Sequence, residues 1–176
     1  MRKTVLITGA SGGLGLEFAR IYAREGFDLV VVARSEGKLY KLKSELETQY
    51  DCHVWVLAQD LSQPDAAYEV FNYTLEKNIT IDALVNNAGF GDFGNFWEVD
   101  AQRQTDLLQV NIMTLVQLTR YFLPGMVERR HGSVLNLSSV AAFSAGPRMC
   151  LYYASKEFVR SFSEAVAEEV RSTGVT

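Results

Sequence analysis

The chain has 176 residues, enough for one domain with a sizeable core. Hydrophobic residues make up 48% and charged residues 22%, with three prolines, a composition that excludes a disordered or low-complexity chain. A formal charge of -4 and a pI near 5.2 give no basic surface for nucleic acid or an anionic membrane.

The chain opens Met1-Arg2-Lys3 and passes into Thr4–Thr8, a β-rich run too short for a signal-peptide core or a membrane span. No later stretch is long and apolar enough to cross a bilayer, so a cytoplasmic protein without membrane contact is expected. Glycines follow Thr8 at once. Leu16–Arg24 has helical periodicity and Gly26 closes it. Leu29–Ala33 is an unbroken apolar strand of the kind buried on both faces. Ser35–Tyr50 is a charged helix with Ser35 as N-cap, and Val54–Ala58 is a third strand. Asp60–Pro64 is a turn, with Pro64 in the first turn of the next helix.

Ala83–Asn86 is a short fourth strand. Asp100–Met126 is one long helix whose last turns Pro124 disturbs. Ser133–Leu137 is a fifth strand. Tyr152–Ser172 is a final helix with an apolar stripe of Phe158, Phe162, Val166 and Val170. Gly174-Val175-Thr176 reads as a helix terminator and the opening of another strand, so further residues beyond Thr176 are expected. Repeated β-α-β units predict an α/β fold: a Rossmann-like, doubly wound parallel sheet in three α/β/α layers, formed by residues 1–176 as a single domain. Cys52 and Cys150 fit no disulfide framework and read as free thiols. His53 and His131 are the only histidines and have no metal-ligand spacing, so no metal is expected.

Thr8-Gly9-Ala10-Ser11-Gly12-Gly13-Leu14-Gly15 joins the first strand to the first helix. Glycines let a diphosphate approach the backbone, and the helix N-terminus offers free N–H groups to its charge. The loop alone also fits a tight turn with no ligand. An acid about 20 residues after such glycines would bind the 2′-hydroxyl of NAD(H). Here the second strand ends Val32-Ala33-Arg34-Ser35, and Arg34 suits the 2′-phosphate of NADP(H), with Lys38 able to assist.

Tyr152 and Lys156 are four residues apart, on one helix face. A free tyrosine titrates near about 10, and a neighbouring ammonium favours its phenolate, which suits acid–base work at neutral pH. Ser138-Ser139 closes the fifth strand, at the carboxyl ends where ligands bind in this architecture. A hydroxyl there can stabilise charge on a substrate oxygen.

Four segments in order, Thr8-Gly9-x-x-x-Gly13-x-Gly15, Asn86-Asn87-Ala88-Gly89, Ser138-Ser139 and Tyr152-x-x-x-Lys156, resemble the short-chain dehydrogenase/reductase family, and the resemblance covers essentially the whole chain. It implies that Tyr152 is the acid–base residue and that Lys156 binds the nicotinamide ribose and lowers the tyrosine pKa. Ser139, thirteen positions before the tyrosine, would orient the substrate carbonyl. Asn111 would hold a water of the proton relay. Asp60 and Leu61 would contact the adenine, and Asn87, Ala88 and Gly89 would lie beside the adenosine. Gly9, Ser11, Gly12, Gly13, Leu14 and Gly15 would cradle the cofactor. Family members usually run on through further strands and a substrate-covering loop.

The expected activity is NADP(H)-dependent reduction of a small to medium, partly apolar ketone or aldehyde, or oxidation of the alcohol. An NAD-dependent alcohol dehydrogenase and a non-catalytic cofactor-sensing or scaffold protein are the alternatives. Phe90, Phe93, Phe96 and Trp97 are candidates to line or gate the substrate pocket, or to be core. The resemblance also implies a homodimer or homotetramer built on the two long helices.

Overall fold

A computed structural model describes residues 2–176. Five strands, β1 (Thr4–Thr8), β2 (Asp28–Ala33), β3 (Val54–Ala58), β4 (Ala83–Asn86) and β5 (Ser133–Asn136), form one parallel sheet in the order β3-β2-β1-β4-β5. Alternation along a strand sends successive side chains to opposite faces. Val5 and Ile7 of β1 and Leu29 and Val31 of β2 face one layer, against Ala19 and Ala23 of α1 (Gly13–Arg24) and Leu39, Leu42 and Leu46 of α2 (Glu36–Gln49). Leu6, Val30, Val32 and Leu84 face the other. There they meet Val70 of α3 (Ala66–Glu76) and Leu118, Phe122 and Met126 of α5 (Leu115–Arg129). A sheet covered on both sides needs apolar residues at every strand position, which is why β2 shows no polar alternation.

The expected strands appear within one residue of their predicted bounds. The predicted helix Asp100–Met126 is instead three consecutive pieces: α4 (Ala101–Leu108), a π-helical turn (Gln109–Thr114) and α5, which continues through Pro124 to Arg129. The last helix, α6, spans Cys150–Val170 and follows a short 3-10 turn at Val140–Phe143. Two capping expectations are corrected. Ser35 stands at the N-cap of α2, but its hydroxyl makes no capping bond; its carbonyl accepts the N–H groups of Lys38 and Leu39. Pro64 lies in the turn ahead of α3, whose N-cap position is Asp65.

Val175 is buried in the second core layer and pairs in parallel with Gly132; Val134 N–H donates to Thr176 O at 2.8 Å. The last two residues therefore lie as a strand would along the outer edge of β5. Cys52 and Cys150 are unpaired. Among the described residues no helix is long and apolar enough to cross a membrane, and no three His, Cys, Asp or Glu side chains are grouped to hold a metal.

The strand order reverses between β1 and β4: the chain leaves β1 toward β2 on one side and returns to β4 on the other. The segments following these two strands diverge, and the crevice between their carboxyl ends is where such a sheet receives ligands.

Candidate active site

The crevice is a cleft of about 380 Å³ whose lining includes Gly9, Ser11, Arg34 and Ser35 after β1 and β2, Asp60 and Leu61 after β3, and Ala88, Gly89 and Phe90 after β4. The glycines of the first loop divide the work. Gly9 has φ +68°, and a Cβ there would lie 2.8 Å from Asn87 Nδ2; a Cβ on Gly15 would strike Gly9 O. These two are required by packing. Gly12 and Gly13 have no atom within 4 Å of a would-be Cβ, and Gly12, Gly13 and Leu14 are exposed. They form an open cradle at the start of α1, whose N-terminus has no side-chain cap. Uncapped N–H groups beside open space suit an anion.

Asn87 does not line the cleft. Its Nδ2 donates to Thr8 O at 2.9 Å and to Gly9 O at 3.3 Å, fastening the segment after β4 to the glycine loop. Thr8 Oγ1 completes the join: it accepts the N–H groups of Asn87 and Ala88, both at 3.0 Å, and donates to Val85 O at 3.3 Å. Sequence reasoning did not single out this hydroxyl. Arg34 is exposed at the cleft rim and makes no ion pair among the described residues. Asp60 accepts both the N–H and the hydroxyl of Ser62.

Where the loop after β4 lines the cleft, a Cβ on Gly89 would lie 3.1 Å from Asn111 Oδ1 and 3.4 Å from Lys156 Nζ. A Cβ on Gly91 would lie 3.3 Å from the Tyr152 ring. The loop after β4 thus lies directly against the tyrosine and the lysine. Lys156 is 5% exposed, and its Nζ donates to Leu137 O at 2.8 Å while standing 5.8 Å from the Tyr152 ring centroid. Burial pushes the Lys156 ammonium below its ordinary pKa. The two serines differ. Ser138 Oγ donates to Lys156 O at 2.7 Å, so its proton is committed to the backbone of α6. Ser139 Oγ accepts the N–H of Ala141 at 3.1 Å, which leaves its own proton uncommitted.

Asn111 sits in the π-helical turn and is 1% exposed. Its Oδ1 accepts Phe90 N–H at 3.1 Å, and its Nδ2 donates to Phe90 O and to Ser155 Oγ, both at 3.0 Å. The side chain amide is therefore engaged by the protein itself, joining the loop after β4 to α6. The π-turn and Ser155 carried no signal in the sequence, because one inserted residue leaves the helical pattern intact on either side.

Of the four aromatic candidates, Phe90 lines the cleft. Phe96 borders a smaller hollow with Asp92, Arg148, Met149 and Tyr152. Phe93, Phe96 and Trp97 are exposed, Trp97 by 80%, so they are not core.

The chain matches the family model for short chain dehydrogenases over residues 3–176. It belongs to that family. Among relatives of this short-chain dehydrogenase is the very-long-chain 3-oxoacyl-CoA reductase of Pyrenophora tritici-repentis, 35% identical over 175 residues, covering 97% of this chain and 51% of that one. Its counterpart in Bos taurus is 33% identical, with 97% and 55% covered. The chain spans about half the length of the curated relatives it matches. A short-chain dehydrogenase from Sphingobium yanoikuyae, solved in complex with NADPH, superposes with a TM-score of 0.93 at 34% identity, covering 98% of this chain and 68% of that one. The bulky-bulky ketone specific alcohol dehydrogenase from Comamonas testosteroni gives 0.93 at 33%, with 98% and 69% covered.

Proposed function

We propose that the full-length protein is an NADP(H)-dependent reductase of ketones with a bulky, partly apolar substituent, 3-oxoacyl thioesters being the first candidates. The observation that carries this reading is the adjacency at Gly89–Gly91: one loop forms a wall of the cleft and packs against both Tyr152 and Lys156. The residues fit a dinucleotide on their own terms, through the open cradle at Gly12 and Gly13, the uncapped start of α1 and the unpaired Arg34 at the rim. Relatives named as 3-oxoacyl-CoA reductases, and neighbours solved with NADPH or NADP, support the same class.

When bound, NADPH supplies the hydride. The chain's own part is proton transfer and orientation. Tyr152 gives its phenolic proton to the carbonyl oxygen as charge builds there. The Lys156 ammonium, anchored by Leu137 O, favours the phenolate left behind. Ser139, with its proton free, donates to the same substrate oxygen. Asn111 holds the Phe90 backbone and Ser155, and so keeps the loop and α6 in register. The exposed aromatics Phe93, Phe96 and Trp97 give an apolar substrate body a surface to lie on. Self-association belongs to the same proposal: Phe158 and Phe162 stack at 5.9 Å along α6, with Phe158 40% exposed.

The test is a panel of 3-oxoacyl thioesters, bulky ketones and aldehydes given to the full-length protein with NADPH, following loss of cofactor absorbance. Consumption with the ketones is expected. NADPH binding without consumption across the panel would make the protein a cofactor binder and overturn the reading.

A further inference from the structure

Arg103 is the third residue of α4, and its backbone N–H is taken by the N-cap side chain of Asp100. Its side chain lines the main cleft on the wall of Gly89 and Phe90. Nε donates to Asp92 Oδ2 at 2.6 Å, and the guanidinium carbon stands 5.4 Å from the centroid of the Phe90 ring. The two terminal nitrogens make no hydrogen bond to the protein among the described residues, and the side chain is 55% exposed. A guanidinium fixed by its Nε on an acid, with an aromatic face beside it, presents its other edge as a rigid pair of donors. That fork matches a phosphate.

The loop has other fastenings besides this clasp. Phe90 is already fixed by Asn111 through both its N–H and its carbonyl, and Gly94 N–H donates to Arg148 O at 2.9 Å. Among the described residues Arg103 pairs with Asp92, whereas Asp60 and Asp106, which line the same cleft, make no ion pair with it. Arg34 lines the same cleft from the end of β2. Among the described residues the cleft therefore carries two arginines, one without an ion pair and one held by a single edge.

We infer that Arg103 is a second anchor for the dinucleotide, its free edge binding the diphosphate while Asp92 holds the guanidinium in place. This rests on the proposed use of NADP(H). Asp92 has two opposed effects: it positions the guanidinium and it offsets its charge. Asparagine keeps an oxygen for Nε and removes the negative charge, so the two partners should respond with opposite signs.

The experiment is titration of the full-length protein with NADPH and with NADH, followed by cofactor fluorescence, at two salt concentrations. Arg103→Gln is expected to weaken both cofactors about tenfold, the scale of one charge-assisted hydrogen bond. Asp92→Asn is expected to tighten both by about two- to fivefold, the scale of one exposed charge, with the gain shrinking at high salt. Equal weakening by both variants would make the pair a loop clasp and overturn the inference, as would no change in either. A loss with Arg103→Gln confined to NADPH would move the contact to the 2′-phosphate and overturn the diphosphate assignment. Arg34→Ala, run beside them, separates the two claims. If it costs NADPH affinity while the Arg103 variant does not, only this inference falls; if the wild-type protein binds neither cofactor, the underlying reading falls with it.

Discussion

Lys156 Nζ donates to the carbonyl oxygen of Leu137 at 2.8 Å, so a buried ammonium is anchored on the residue that follows β5 and lies one helical turn from Tyr152. The bond gives the buried charge a partner, and burial lowers its pKa. The sign of the pH dependence follows. The unfolded chain keeps its amine proton up to the ordinary value of 10.5, whereas the folded chain releases it earlier. Folding stability from this group therefore rises with pH through the window between the lowered pKa and 10.5, and the cost of the buried charge is present in full below that window. Lys156→Met lacks the titration. Urea unfolding at neutral and at mildly alkaline pH should show the stability difference moving toward wild type as pH rises, and ketone reduction by the variant should fall at least about 10²-fold.

Tyr152→Phe removes one hydroxyl from a half-buried ring and leaves the cleft lining unchanged. The expected result is a loss of about 10²- to 10⁴-fold in kcat with NADPH affinity preserved. Steady-state rates and fluorescence titration on the same preparation check it; a retained rate would remove the tyrosine from the chemistry.

Arg34 lies at the rim without an ion-pair partner among the described residues, so Arg34→Ala is expected to cost the fold little. NADPH affinity should drop about tenfold while NADH affinity holds, since only the former carries a 2′-phosphate. Equal losses for the two cofactors would contradict the assignment.

Gly12 and Gly15 should fail in different ways. Gly15→Ala drives a methyl into Gly9 O and the Asn87 amide, and should destabilise the protein by about 1–3 kcal/mol or more. Gly12 has extended backbone and open space, so Gly12→Ala should stay within about 1 kcal/mol of wild type, yet weaken the cofactor because its methyl enters the cradle. Thermal melts with and without NADPH separate the two.

Asn111→Ala would strand the N–H and carbonyl of half-buried Phe90 and remove a bond of buried Ser155. A stability loss of about 2–3 kcal/mol is expected from denaturant midpoints.

The inner strands were legible because β1 and β2 are apolar on both faces and bounded by turn residues. Leu29–Ala33 could not be anything but an interior strand once helices were expected on either side. The glycine loop, Tyr152 and Lys156 were legible as spacing within one element. What stayed hidden depends on pairs far apart in the chain. Asn111 is joined to Ser155 across 44 positions, and Asn87 to Thr8 across 79. Nothing in the local pattern at Asp92 and Arg103 announces that they meet. The division of labour between Ser138 and Ser139 likewise appears only when α6 is in place, since it turns on which hydroxyl finds the Lys156 carbonyl.

The hydroxyl of Thr8 touches three backbone groups from Val85 to Ala88, and so rivets the strand ends on either side of the topological reversal. Together with the Asn87 amide it holds the two sides of the gap in which a ligand would lie at a fixed spacing in advance of any visitor. A nucleotide entering there meets finished walls, and little of its interaction energy is diverted into shaping them.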